Sequence, residues 1–228
     1  MQLLAVVVPP PEVVRDVLEA AHRLCSTPEA ATDEPRRGLL GRLRGRRDAA
    51  PPVAAPTLRP TTPEAVFVRL ATFGNVTGSD AGTLADALGS AAGTWPAPVL
   101  HVGRLRVTEA EPHVVTADLD GDVDALRDIH RNVNEVARQQ RFFLDRRGFR
   151  SELALGSIGA PEGSDVDGGL VGLTGIAGTE VPHDGAHWSP AHVTLVRTSF
   201  AAGATTYAEV ARIALAHGAG EPAPDPNG

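Results

Sequence analysis

The stretch that most limits what this chain can fold into runs from Ala65 to Val76, Ala-Val-Phe-Val-Arg-Leu-Ala-Thr-Phe-Gly-Asn-Val. Val66, Val68 and Leu70 fall on one side of a period-two pattern, and Phe67, Arg69 and Ala71 on the other. One face is apolar throughout and belongs in a core. The other mixes an aromatic ring with a guanidinium, which a dry core would not tolerate unpaired, so it should meet a cleft. Gly74 stands where the strand gives way to a helical pattern, and glycine takes the positive φ that such a turn often needs.

The rest of the sequence is that of a globular α+β protein. A hydrophobic content of 42% and a charged content of 21% leave enough apolar side chains for one substantial core. One domain over residues 1–216 is expected, with 217–228 as a disordered Pro/Gly-rich tail. No apolar run reaches the roughly 18 residues of a membrane span, and no basic segment precedes the apolar N-terminus, so the expected location is cytoplasmic. Cys25 is the single cysteine, which excludes an internal disulfide. The chain has no lysine, so all its Lys/Arg positions are arginine; with abundant Ala, Gly and Pro, this suggests a GC-rich bacterial genome.

A formal charge of −7 argues against a surface built to wrap nucleic acid. Against that trend, residues 36–47 hold six arginines and no acid. They lie in an Arg/Pro-rich insertion, 26–63, without sustained periodicity and expected to be mobile. An anionic partner and a merely solvated charge block are both open readings of this loop.

Gln2 to Val8 is an apolar strand, and Pro9-Pro10-Pro11-Glu12 starts a helix with Val13, Val14, Val17, Leu18, Ala21 and Leu24 on one face. After the central strand, Ser79 is placed to cap a helix carrying Leu84, Leu88 and Ala91. Val99–Val107 and His113–Leu119 alternate as strands. Leu126, Ile129, Val133, Val136 and Phe143 recur at helical spacing, with Gly148 placed to end that helix. Residues 159–178 are glycine-rich and read as loop and weak helix. A strand at Ala191–Phe200, a short turn and a last strand at Tyr207–Leu215 close the domain.

Two segments carry a family resemblance. Ala65–Val76 resembles the "His-x-Thr-Leu-x-Phe-Leu-Gly-x-Val" strand of the two-histidine phosphoesterases, the superfamily of bacterial 2'-5' RNA ligases and RNA 2',3'-cyclic phosphodiesterases. Phe149-Arg150-Ser151-Glu152-Leu153-Ala154-Leu155 is similar to their second motif, "Phe-x-Pro-His-x-Thr-Leu". Element order and the Phe-Gly, Gly-Phe and Tyr positions match from Gln2 to Leu215, but the diagnostic residues differ. Phe67 and Glu152 stand at the histidine positions, Arg69 and Ala154 at the threonine positions. The resemblance implies a bilobal fold, antiparallel sheets around a central cleft with flanking helices, and no cofactor.

Opening a 2',3'-cyclic phosphate takes one group to accept a proton from water and another to give one to the leaving ribose oxygen. In the family each His-x-Thr puts a histidine and a hydroxyl on one strand face. Phe67 cannot carry a proton and Ala154 cannot donate a hydrogen bond. The resemblance therefore implies a degenerate relative that binds a nucleotide, an RNA end or a protein partner. Arg69, with Arg197, is the candidate anion donor. Two alternatives stay open: residual phosphodiesterase activity with Glu152 or His192 replacing a lost histidine, and a purely structural protein in which Arg69 and Glu152 pair and close the cleft.

His192-Val193-Thr194-Leu195 is a literal His-x-Thr-Leu, but it does not follow the long helix as the second motif should. Metal binding by His183, His187 and His192 is not expected, because Gly185 and Pro190 break any helical ligand spacing.

Overall fold

The computed structural model describes residues 1–26, 57–145, 147–159, 176–201 and 203–216. The arginine-rich stretch 36–47, the weak-helix stretch 160–175 and the tail 217–228 lie outside the described residues. In chain order the elements are β1 (Gln2–Val7), α1 (Pro11–Ser26), β2 (Thr57–Pro60), β3 (Val68–Asn75), α2 (Gly78–Ala92), β4 (Leu100–Val107), β5 (Val114–Gly121), α3 (Val123–Gln139), β6 (Glu152–Gly159), β7 (Glu180–Pro182), β8 (His192–Ala201) and β9 (Ala204–Ala214).

The strands form two antiparallel sheets. A four-stranded sheet has the order β3-β1-β8-β9, and a five-stranded sheet the order β2-β6-β5-β4-β7. The first joins strands from both ends of the chain, so neither lobe is a contiguous piece of sequence. Helix α1 packs against β2, β4 and β6 of the five-stranded sheet, whereas α2 packs against β9 and α3 against β3 of the four-stranded one. Val13, Val14, Val17, Ala21 and Cys25 of α1 are buried, as are Leu84 and Leu88 of α2 and Leu126, Ile129 and Val133 of α3. Helices on the outer faces leave the inner faces of the two sheets to meet at a cleft. No helix among the described residues is long and apolar enough to cross a membrane.

Several local features depart from the sequence pattern. Thr57–Pro60, at the end of the expected loop 26–63, is a strand that pairs with Gly156–Gly159. Thr77, not Ser79, caps α2: the Asp80 N–H donates to Thr77 Oγ1 at 3.1 Å, and the Thr77 N–H donates to the Asp80 carboxylate at 3.3 Å. This reciprocal box satisfies two N–H groups at the helix start, and Ser79 has no comparable partner three residues on. Helix α3 stops at Gln139, well short of Gly148, because Arg141 adopts a left-handed φ of 61° and the Phe142 N–H turns back to the Ala137 carbonyl at 2.9 Å. Phe143, expected on the helix's apolar face, is instead exposed beyond its end. Gly74 has the expected positive φ, 69°.

Candidate functional site

Strand β3 forms one wall of the cleft. Val66, Val68 and Leu70 are buried in the main core, and Phe67 and Arg69 face the other way. The alternation then breaks. Val6 pairs with Arg69 but Ala5 with Ala71, so β3 carries an extra residue at Leu70. This bulge turns Ala71 toward the core side, where it joins the main cluster while still edging the cleft, and adds Thr72 to the cleft wall. A strict period of two groups Ala71 with Phe67 and Arg69 instead.

Strand β6 supplies the facing wall. Leu153 and Leu155 are buried, and Glu152 and Ala154 point to the cleft. The four positions singled out by the two motifs, Phe67, Arg69, Glu152 and Ala154, therefore line one cavity of about 720 Å³. Tyr207 of β9 and Gly148-Phe149 line it as well.

Each position does something different from its counterpart in a His-x-Thr pair. Phe67 lies down on the four-stranded sheet in a small apolar cluster with Leu4, Val6 and Val196. Its ring meets Tyr207 edge to face, 5.2 Å between centroids, a geometry that adds to the stabilisation from buried area. The proton-transfer position is thus occupied by part of the cleft's apolar floor. Glu152 is held on both carboxylate oxygens, by Arg106 Nη2 at 3.1 Å and by Arg150 Nη1 at 3.3 Å. Arg106 also reaches Asp118 at 3.4 Å, which Arg104 grips at 3.2 Å, and Arg104 continues to Glu180. A carboxylate in such a ladder would have to give up two guanidinium contacts to act as a base.

Arg69 does not pair with Glu152. Among the described residues it has no ion pair and no hydrogen-bonding partner. The cleft is consequently open rather than closed by the Arg69–Glu152 bridge that the structural reading required. Its other charges are largely matched: Arg147 with Asp145 at 3.3 Å, Arg150 with Glu152. Arg69 supplies the unmatched positive charge.

Arg197 is not part of this site. It lies opposite Leu3 in the β1–β8 ladder, hence on the face of the sheet that carries the helices. Its parity with the buried Val193 and Leu195 already places it there. His192 and Thr194 do lie on the cleft side of the sheet, since Thr194 pairs with Val6, but they line a separate depression of about 210 Å³. His183 and His187 are elsewhere: His183 Nε2 contacts Asp16 at 2.8 Å, and His187 packs on His101 with ring centroids 4.4 Å apart.

The sequence pattern misses His130. It projects from α3 into the cleft, stacked on Phe149 at 4.9 Å, with Nδ1 2.6 Å from the Leu70 carbonyl at the bulge. A carbonyl only accepts, so Nδ1 is the donor of this contact. Asn134, one turn on, donates to the His130 carbonyl at 2.9 Å, and its amide nitrogen lies 3.2 Å from Nε2. The available signal is a His and an Asn at i and i+4, flanking the apolar stripe of Ile129 and Val133. Among the described residues His130 is the one imidazole lining the cleft, so these residues hold no two-imidazole acid/base clamp there.

Two antiparallel sheets of four and five strands, helices on their outer faces, and a cleft between β3 and β6 define the two-histidine phosphoesterase fold. Its solved representatives include LigT of E. coli, crystallised with 3'-AMP: that structure is 18% identical over 94% of this chain and 97% of its own, with a TM-score of 0.60. TT0787 of Thermus thermophilus is 17% identical over 94% of this chain and 98% of its own, with a TM-score of 0.60. The LigT structure crystallised with NADP+ superposes with a TM-score of 0.61 at 18% identity. No family profile matches the sequence, and no curated protein sequence matches it.

Proposed function

We propose that this chain is a catalytically degenerate protein of the 2'-5' RNA ligase type that binds a phosphate-bearing ligand, a nucleotide or an RNA end, through the cleft. The observation that carries the reading is Arg69: a guanidinium without a partner among the described residues, facing a cavity of about 720 Å³ beside an apolar floor of Phe67 and Tyr207. A guanidinium offers five N–H donors in a fork that fits phosphate oxygens. LigT of E. coli, which shares the fold, has been crystallised with 3'-AMP, ATP, NADP+ and phosphate, which supports a nucleotide as the ligand class. Loss of catalysis follows from the chemistry of the remaining groups. Phe67 carries no proton, Glu152 is engaged on both oxygens, and among the described residues no second imidazole lines the cleft to complete a proton relay with His130. The same reading makes the protein a cytoplasmic bacterial one, and leaves an anionic partner for the 36–47 arginines as a separate proposal.

Calorimetric titration of 3'-AMP into the purified protein tests this, with a nucleoside 2',3'-cyclic phosphate assayed for hydrolysis alongside. Binding without turnover is expected, with Arg69→Ala weakening binding by roughly ten- to a hundredfold, the range for a charge-assisted hydrogen bond to a phosphate. Turnover abolished by Glu152→Ala or His192→Ala would overturn the degenerate reading. Binding that Arg69→Ala leaves unchanged would remove Arg69 from the site.

A further inference from the structure

From the register of the four-stranded sheet we infer that His192 and Thr194 form a second anion subsite, so that the cleft takes ligands with two phosphate groups, of the nucleoside bisphosphate class. The inference rests on the first subsite being the phosphate site at Arg69. In the ladder, Val6 of β1 pairs with Arg69 on one side and with Thr194 on the other, and Thr194 pairs with Arg212 of β9. Arg69, Val6, Thr194 and Arg212 are therefore one row of side chains across four strands, all on the cleft side. Two strand spacings separate Arg69 from Thr194, about 10 Å. His192, two residues before Thr194, shares its face.

A depression supports this placement independently of the register. His192, Thr194, Glu209, Arg212 and Val8 line a hollow of about 210 Å³ on the same side of the sheet. The Thr194 side chain is 7% exposed, and neither its hydroxyl nor the His192 ring has a hydrogen-bonding partner among the described residues. Arg212 gives Nε to Glu209 at 2.9 Å, which leaves its terminal N–H groups to reach a ligand. The Thr194 hydroxyl and the His192 imidazole have no partner among the described residues, and the Arg212 guanidinium beside them is engaged by Glu209 only through Nε. The His-x-Thr pair absent from β3 is present two strands away on the same face.

Between the two sites lies Val6, within the apolar cluster that contains Phe67 and Tyr207. Val6 itself is buried, so a nucleoside bridging the two hollows would lie across the outer edge of this cluster, at Phe67 and Tyr207, with a phosphate at either end. One phosphate meets Arg69, and the other meets Thr194, His192 and Arg212.

Adenosine 3',5'-bisphosphate, 3'-AMP and inorganic phosphate separate the two subsites. The wild type should bind the bisphosphate at least roughly tenfold more tightly than 3'-AMP, as one further charge-assisted contact allows. Thr194→Val should bring the bisphosphate to the affinity of 3'-AMP, and so should His192→Ala, which touches a less buried position and keeps the test open should the threonine variant not fold. A bisphosphate that binds no more tightly than 3'-AMP would overturn the proposal, as would an advantage that survives both variants. Inorganic phosphate, followed by the His192 ring resonances in NMR, distinguishes this outcome from failure of the Arg69 reading. A shift in His192 with no Arg69-dependent nucleotide binding leaves the subsite standing and removes the first site. An unmoved His192 resonance at saturating phosphate removes the second.

Discussion

Phe67, just ahead of β3, and Arg69, within it, sit two residues apart, and their fates show how a site changes character without a change of fold. Phe67 is absorbed by an apolar cluster, where an aromatic side chain is stabilised by burial and by its edge-on contact with Tyr207. Arg69 has no partner among the described residues and presents its charge to the cleft. Burial acts in the opposite sense on Cys25, whose thiol is pushed above its ordinary value by desolvation on the inner face of α1. The folded state therefore favours the neutral thiol, and the unfolded chain ionises first as the pH rises. Stability from this group is complete below the unfolded thiol's ordinary pKa and falls as pH climbs from there toward the raised folded value. Urea unfolding at about pH 8 and about pH 10 should show a steeper alkaline loss in the wild type than in Cys25→Ala, by at most about 1.4 kcal/mol per pH unit. Parallel losses in the two proteins would mean that the thiol is not what titrates.

At the scale of elements, the bulge in β3 and the early end of α3 build the cleft rim together. The bulge at Leu70 places a backbone carbonyl where His130 Nδ1 can donate to it, and the chain leaving α3 crosses the same edge, where the Asp145 N–H donates to the Thr72 carbonyl at 3.0 Å. Both contacts cover an edge strand whose backbone groups would otherwise be open to pairing. Arg141 makes that turn possible with a φ of 61°, a conformation that costs a non-glycine residue about 1 kcal/mol. Arg141→Gly is therefore expected to raise the unfolding free energy by up to about 1 kcal/mol, less what glycine adds to the entropy of the unfolded chain. A loss of stability, measured by chemical denaturation, would show that the arginine side chain contributes more than its backbone conformation costs.

For the molecule as a whole, the cleft is a place where two sheets meet, and its residues come from β3, α3, β6, β9 and the segments leading into β3 and β6. A ligand there binds the folded state and has no site in the unfolded chain. At a hundred times its dissociation constant it should add about 2.7 kcal/mol to the unfolding free energy. The thermal midpoint should accordingly rise with 3'-AMP in the wild type and stay flat in Arg69→Ala. An equal rise in both would place the nucleotide elsewhere on the surface.

Local patterns in the chain suffice for most of the strands and helices and for the core face of β3, whereas the meeting of Phe67, Arg69, Glu152 and Ala154 at one cleft is implied only by the resemblance to the two-histidine phosphoesterases. Periods of two and 3.6 are properties of neighbouring residues, and the order of elements follows from them. Parity alone also puts Arg197 on the helix side of its sheet, with Leu195 and Val193. The partners of these residues are a different matter, because folding in three dimensions selects them. Glu152 binds Arg106 instead of Arg69 because β4 pairs beside β5 and brings that guanidinium to the same face, while Arg150, two residues earlier in the chain, takes its other oxygen. His130 enters the cleft because a bulge on a strand distant in sequence offers its ring a carbonyl. His192 and Thr194 share a row of the sheet with Arg69 because β8 pairs with β1, at the opposite end of the chain. Strand pairing and side-chain competition depend on contacts between residues far apart in sequence, and no local pattern encodes which of several opposite charges will be nearest.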